Sequence, residues 1–500
     1  MASAKATKKA GRRKATGETR RPTARAKAAR KSTGKKAAKA AKKTKASVLV
    51  VNMIPKSLSG EDNQDSEPTL TVNPANPLHI VGSAFTPDPA GGNLAPIYVS
   101  TDGGLSWSLN SIVPSDAQQG SMTADITVSF AAAGDRLYAG IIRLPIVGNS
   151  TRLNILRTDD FTGASPMKVL VDRTGNGVDQ PYVQAATVAG KDRVYVGDND
   201  FNSPGKTATI DQSLDAGKPN PSFASVRIEK RSTSGQDGPP IRPAIHSDGT
   251  VYAVFHSWRT FNGSTGAGTA DIVVVRDDQG GGSANPFTAL VDAGDGKAGM
   301  RVARNVAFNF DGHLGLQRTG GDVAIAVDPT DSAKVYVAYN ADEGPDYVLH
   351  VVRSLDRGAT WSADIRRVRN ALNPQLAVNN AGKLGLLYQR LAGTGVKRWQ
   401  TKFESTTNGT QWTSIKLATV PANLPARIFE PYLGDYDHLT SVGKDFYGIF
   451  AANNTPRQSN FPQGVKFQRN ADFTNNILLD VDNTTPVHVS IDPFFFRVSG

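Results

Sequence analysis

Short apolar runs bounded by turn residues recur along the chain from Val48 onward, and one strand-like phrase returns seven times. Its copies are Leu78–Phe85, Asp135–Ile142, Asp192–Asn199, Gly249–His256, Ala333–Asn340, Gly382–Gln389 and Gly443–Phe450, with starts 57, 57, 57, 84, 49 and 61 residues apart. Each follows a second apolar run: Pro68–Val72, Ala124–Val128, Pro181–Ala185, Pro240–Ile245, Val323–Val327, Pro374–Val378 and Pro431–Leu439. Paired short strands in a unit of roughly 40–60 residues are the pattern of a β-propeller, because one such sheet cannot cover both of its faces alone. The reading is therefore all-β, with seven blades; six is the alternative. Val48–Asn52 or Val487–Val498 is expected to supply the strand that closes the ring, since an open ring leaves sheet edges exposed.

The turns narrow the family. Ser100-Thr101-Asp102-Gly103-Gly104-Leu105-Ser106-Trp107 and Ser354-Leu355-Asp356-Arg357-Gly358-Ala359-Thr360-Trp361 both fit S-x-D-x-G-x-x-W. An Asp can bond nearby amides, Gly accepts positive φ, and Trp can plug the gap between sheets. Ser405–Trp412, with Asn408 in the acidic position, is a degenerate copy. Ser213–Gly217 leading to Phe223, and Arg276–Asp278 leading to Phe287, are looser ones. This pattern resembles the Asp box of the sialidase superfamily. Glu67–Pro74, Glu430–Tyr436, Phe446–Phe450 and Ile491–Phe496 resemble phrases of bacterial sialidase-like repeat proteins. The likeness runs from Val48 to residue 500 and implies a sialidase-like propeller; Asp boxes mark a fold and leave the reaction open.

Composition divides the chain in two. The net charge is +12, yet residues 1–46 hold 18 Lys/Arg and one acid, Glu18, leaving 39 basic and 44 acidic residues in the remainder. With no aromatic residue, that segment reads as a disordered tail, and residues 47–500 form the propeller. It is similar to the lysine-rich tails of linker histones and of some nucleoid proteins. Nucleic acid or another polyanion is the expected partner, bound without base recognition because nothing can stack. An anionic surface, a targeting role and a plain solvated extension are the rivals. The chain lacks cysteine, which removes disulfide and thiolate chemistry. No apolar run of a secretory signal or a membrane span is present, so a cytoplasmic or nucleoid-associated monomer is expected, with non-classical secretion as the alternative.

If the paired runs are strands A and B of each blade and the boxes join C to D, the boxes share one face. The other face, where strands A begin and strands B end, collects polar residues: Asp65, Glu67, Asp125, Asp179, Asp237, Asp322, Glu430 and Asp435 before or within A, and Arg143, His256, Trp258, Arg259 and Arg390 after B. Acids at the start of an inner strand can simply bond the next blade and close the ring, and that reading stands for Asp125, Asp179, Asp237 and Asp322. Carboxylates round the axis would also suit Ca²⁺, but no D-x-D-x-D-G loop is present, and no cofactor is expected, with Ca²⁺ as the alternative. The longest interval, Thr260–Gly321, carries Arg301, Arg304, His313, Gln317 and Arg318 and reads as an insertion over this face, part of it a lid.

The sialidase resemblance implies an arginine triad gripping a sugar carboxylate, a Tyr nucleophile activated by Glu, and an Asp acid/base. The nearest positions are Tyr432 as nucleophile, Glu430 as its partner, Asp65 as acid/base, and Arg143, Arg259, Arg318 and Arg390 as the cationic grip. Arg143 sits in Ile142-Arg143-Leu144-Pro145, one blade later than the family places its first arginine. His256 and Trp258 could bind a sugar ring; a Trp at a strand end can equally be packing. No G-x-S-x-G, H-E-x-x-H, Walker or G-x-G-x-x-G signature competes. Two functions follow: a glycan-directed protein, acting as an exo-glycosidase of sialidase type if it turns over, or a non-catalytic scaffold binding glycan or protein and held to a polyanion by its tail.

Overall fold

The computed structural model describes residues 46–85, 88–115, 122–132, 134–144, 151–173, 177–200, 207–231, 241–309, 322–425 and 432–500. The basic tail lies outside these apart from Ala46, and so do Asp237, His313, Gln317, Arg318 and Glu430.

Among the described residues are six four-stranded antiparallel sheets in sequence order and a seventh of five strands. Their first strands are Thr69–Val72, Met122–Phe130, Val178–Val188, Arg242–Ile245, Val323–Asp328, Ala371–Val378 and His438–Val442. Each of these packs against the first strands of the two neighbouring sheets, and the seventh packs against the first. That is a closed ring, a β-propeller with the strands A around its axis. A three-stranded sheet, Ala471–Leu479 with Pro486–Val487, sits outside the ring order. No helix among the described residues is long and apolar enough to cross a membrane.

Both closing strands expected from sequence are used together. In the seventh sheet the order runs His438–Val442, Asp445–Asn453, Ile491–Val498, Val48–Asn52, Lys466–Phe467. Ile491–Val498 thus lies between the preceding strand of its own blade and the first strand of the described chain, antiparallel to both. Its Phe494, Phe495 and Phe496 are fully buried, which fills the blade from both sides.

Inner strands splay apart too far to pair as a sheet, so their edge N–H groups need other acceptors. Hydroxyls supply them. Thr71 Oγ1 accepts from the Phe130 amide at 2.9 Å, Thr127 Oγ1 from Val183 at 2.8 Å and Ser129 Oγ from Ala185 at 2.9 Å.

The box turns join strands C and D. Ser100 Oγ accepts from the Gly104 amide at 2.9 Å, and Asp102 Oδ1 accepts from the amides of Leu105 and Ser106, each at 2.9 Å. Ser354, Asp356 and Gly358 repeat this geometry. Both glycines have positive φ, +87° and +84°. Trp107 is buried against Phe495, ring centroids 5.3 Å apart, and the Trp361 indole donates to the Gly358 carbonyl at 3.1 Å. In the degenerate copy the hydroxyl role falls to Thr406, with Asn408 at the usual spacing and Gly409 one residue closer, so the register starts one position later than the sequence suggested; Trp412 still donates to the Gly409 carbonyl. Asp277 takes the place of the serine in blade four, accepting from Gly281 at 2.7 Å and, on its other oxygen, from Phe287 at 3.0 Å. Thr158–Gly163 in blade two makes the same kind of turn through Asp160.

Two sequence expectations are corrected here. Thr260–Gly321 is mostly not an insertion. Strand B of blade four runs on to Asn262, strand C spans Ala267–Asp277, and strand D, Met300–Asn309, carries Arg301 and Arg304. Its strands B and C are simply longer than average, so the interval looked empty of a blade. The first strand of blade seven starts at His438 rather than Pro431, because Gly434 (φ +92°) and the polar run Asp435-Tyr436-Asp437 lead into it.

Candidate functional site

The inner strands bring a polar cluster to the axis at the end where strands A begin. Each blade contributes: Glu67 and Thr69, Asp125, Gln180 and Tyr182, Arg242, Asp322, Gln375, and the run Asp435–His438. Arg242 lies at its centre. The guanidinium stands 4.0 Å from the centroid of the Tyr182 ring and 5.2 Å from that of Tyr436, and its Nη2 donates to Asp322 Oδ1 at 3.2 Å. Gln375 Nε2 donates to the other Asp322 oxygen at 3.0 Å. Arg242 and Asp322 are each 2% exposed.

A second set of bonds runs across the ring. Tyr436 Oη donates to Asp125 Oδ1 at 3.1 Å, and Gln180 Nε2 donates to Asp435 Oδ2 at 2.8 Å. The Asp435 amide donates to Glu67 Oε1 at 3.1 Å. His438 is neutral: burial, helped by the Arg242 charge, drives it down to about 3. The Leu70 amide donates to its Nδ1 at 3.1 Å, which leaves the ring proton on Nε2, pointed at Tyr182 Oη 3.1 Å away.

Behind this cluster the axis holds a cavity of about 170 Å³, with Tyr182, Arg242, Gln375 and His438 at one end and the alanines and valines of blades four to six along its wall. In the seventh blade exposure rises along the inner strand away from the cluster, from buried His438 and Leu439 to half-buried Thr440–Val442.

Electrostatics single out one member. Burial raises the Asp322 carboxyl to about 7, with Arg242 opposing and Asp435 adding to the rise. Its folded-state value lies above the unfolded one, so between about pH 4 and 7 the folded protein keeps a proton that the unfolded chain has lost. The contribution is present at low pH and is lost as pH rises through 7. Buried histidines act in the opposite sense, so the effect is read as a difference: Asp322→Asn gains on the wild type by a few kcal/mol, of order 2–4, between pH 4 and 7 and nothing further above it, as measured by urea unfolding at each pH.

The burial of Tyr436, reinforced by the Asp125 carboxylate, holds its phenol far above the usual value, so it is protonated until a base takes its proton.

The residues singled out from sequence are dispersed. Tyr432 is buried and donates to the Leu424 carbonyl at 3.0 Å, outside the axial cluster. Arg143 is buried inside blade two, its Nε donating to Asn154 Oδ1 at 2.9 Å. Arg259 forks onto Asp271 Oδ2 at 3.0 and 2.6 Å. His256 is buried beside Phe308, brought down to about 3 by burial, and Trp258 packs edge-on to Phe261 and Phe308. These two belong to the packing between strands and are closed to a sugar ring. Arg390, half-buried at the end of its strand, has an Nε without a hydrogen-bond partner among the described residues. Asp65 is fully buried and shares no hydrogen bond with the axial cluster.

Asp125, Asp322 and Asp435 were legible as acids at the start of inner strands. Arg242, Tyr182, Tyr436, Gln375 and His438 were missed, although each stands in or next to the first apolar run of its blade.

No protein-family profile matches the chain, and no curated protein matches it. Solved structures similar to it include an alpha-L-arabinofuranosidase of Fusarium graminearum complexed with arabinobiose, 13% identical, covering 68% of this chain and 92% of that one with a TM-score of 0.43. An alpha-L-arabinanase of Penicillium chrysogenum is 13% identical, covering 90% and 98%, TM-score 0.42. The endosialidase of phage phi92 is 11% identical, covering 91% and 69%, TM-score 0.39. Identities this low and superpositions this loose carry no reaction from any of them to this chain.

Proposed function

We propose that the protein is a glycan-directed propeller that hydrolyses a glycosidic bond at the axial cluster. The observation supporting this reading is the meeting of three functions at one point: a phenol bonded to a carboxylate (Tyr436 and Asp125), a second carboxyl titrating near 7 (Asp322), and a guanidinium between aromatic faces (Arg242). In this reading Tyr436 Oη attacks the anomeric carbon while Asp125 takes the phenol proton, and protonated Asp322 gives its proton to the departing sugar oxygen. Water then enters, Asp322 takes a proton from it, and the phenol recovers its own from Asp125. A neutral nucleophile suits an anionic sugar, whose carboxylate Arg242 would hold, so a sialoside is the substrate to try first.

The test is hydrolysis of a fluorogenic sialoside, and of an arabinoside beside it, by the full chain. Tyr436→Phe is expected to lower kcat at least 100-fold while the variant stays folded at the assay temperature, and wild-type activity should fall as pH rises through 7. A folded wild type that turns over neither compound, or a Tyr436→Phe variant of full activity, removes the reading.

The second reading is the non-catalytic scaffold. It is favoured by the near-complete burial of Arg242, Asp322 and Tyr436 and by bonds joining blade to blade, as a structural lock would have them. Residues 1–46 then carry the function. Retention on DNA should depend on them and fall steeply with salt.

A further inference from the structure

A second buried charge cluster lies where the first and last strands of the ring meet. Glu61 and Asp65 are on the segment between Val48–Asn52 and Thr69–Val72, and Asp492 is on Ile491–Val498. One oxygen from each of these three carboxylates lies within 4.8 Å of the other two. Arg469 is their cation: its Nη1 reaches Asp492 Oδ2 at 3.1 Å and Glu61 Oε2 at 3.4 Å.

The three acids are not equally satisfied. Asp492 accepts from Asn52 and Asn454 as well, each at 2.6 Å. Glu61 accepts the Asn63 amide. Asp65, fully buried, accepts nothing on either oxygen among the described residues. Two neutral groups nearby share its condition. The Tyr98 hydroxyl and both amide atoms of Gln64 are buried without partners among the described residues. Burial, reinforced by the charges of Asp65, Glu61 and Asp492, holds that phenol well above its usual value.

Three carboxylates against one guanidinium leave two negative charges uncompensated in a medium that penalises even one. Protonating Asp65 would remove one of them and leave the other. A doubly charged cation removes both and gives the empty oxygens a partner.

We propose that Glu61, Asp65 and Asp492 hold a divalent cation, calcium in preference to magnesium. Calcium coordinates oxygen at about 2.3–2.6 Å, so its sphere spans separations up to about 5 Å, whereas magnesium's spans about 4 Å. Asp65 supplies the principal ligand. Asp492, already saturated by Asn52, Asn454 and Arg469, is aimed by them. The site lies off the axis, unlike the ring of acids that the sequence offered as an alternative place for calcium. The ion would tie the segment after the first strand to the last strand of the ring, and so would act on stability.

The experiment uses the full chain stripped with EDTA. Its basic tail repels cations and adds no competing sites. Restoring 1 mM CaCl2 is expected to raise the melting temperature by roughly 3 °C or more, and MgCl2 by less. Tb³⁺, a calcium substitute, should bind at about one per chain. Asp65→Asn keeps the shape but removes the charge, so it should lose the calcium response while melting in EDTA at or above the wild-type temperature. A melting point indifferent to calcium, or a response that survives in Asp65→Asn, overturns the proposal. Should Asp65→Asn not fold, the wild-type Tb³⁺ stoichiometry decides: well below one per chain overturns it.

Discussion

Replacing Arg242 by methionine lowers the unfolding free energy by about 3–5 kcal/mol, the range for removing one partner of a buried ion pair. Methionine keeps most of the volume and the contact with the Tyr182 and Tyr436 rings, so little of the loss is packing. It comes from Asp322, left 2% exposed with no counter-charge. Gln375 still donates to one oxygen, but a single amide does not replace a guanidinium. The carboxyl can escape by staying protonated, so the loss should be smallest near pH 5 and largest above 7. Removing the charge as well, in Arg242→Met with Asp322→Asn, should recover most of it. Chemical denaturation of the four proteins of this cycle at pH 5 and pH 8 reads the coupling directly. A double variant as unstable as Arg242→Met alone would show that the pair is not what the cluster depends on.

Gly104→Ala is expected to cost about 3 kcal/mol or more, against about 1–2 kcal/mol for Gly409→Ala, although both are box glycines at positive φ. At Gly409 (φ +77°) a Cβ would meet nothing closer than 3.6 Å, so the variant bears only the backbone cost. At Gly104 (φ +87°) a Cβ would fall 2.1 Å from Cε1 of Phe495. That ring is fully buried, lies against Trp107, and belongs to the strand that closes the propeller. It cannot swing away without opening the seam. Urea midpoints of the two variants, at unchanged slope, measure the contrast. Equal losses would mean that the backbone term alone sets the requirement for glycine.

The architecture was largely legible because propellers repeat. Seven copies of one strand phrase, with a first apolar run before each, correspond to strands B and A of the seven sheets. What failed was reasoning by parity and by neat spacing. Tyr432 and Tyr436 lie in one phrase, and side chains two or four apart share a face only on a regular strand. Gly434 at φ +92° breaks that regularity, so Tyr436 reaches the axis while Tyr432 turns to Leu424. Arg242 was hidden by context: a charged residue within an apolar run between two prolines reads as a strand border, and only ring closure shows that its border is the axis. The guanidiniums after strands B were conspicuous in sequence, but two of the three described ones already had local partners, Asn154 for Arg143 and Asp271 for Arg259. Pairings inside a blade depend on register, which short strands do not announce. The blade-two turn at Asp160 was overlooked because it lacks the tryptophan that marks the others.

Sharing the seventh blade between the first and last strands sets a timetable for biosynthesis. Val48 pairs with Val498, about 450 residues later, so joining them carries a chain-entropy cost of about 5 kcal/mol that contacts made earlier do not reduce unless the intervening blades are already stacked. Ile491–Val498 is translated after every other strand of the ring. At 5–20 residues per second, a growing chain spends roughly 25–100 s with its ring unclosed and two sheet edges unprotected. Sequence changes near Phe494–Phe496 would therefore be felt first as lost yield in the cell, through capture of the open form by chaperones and proteases, before any altered property of the finished molecule could be measured.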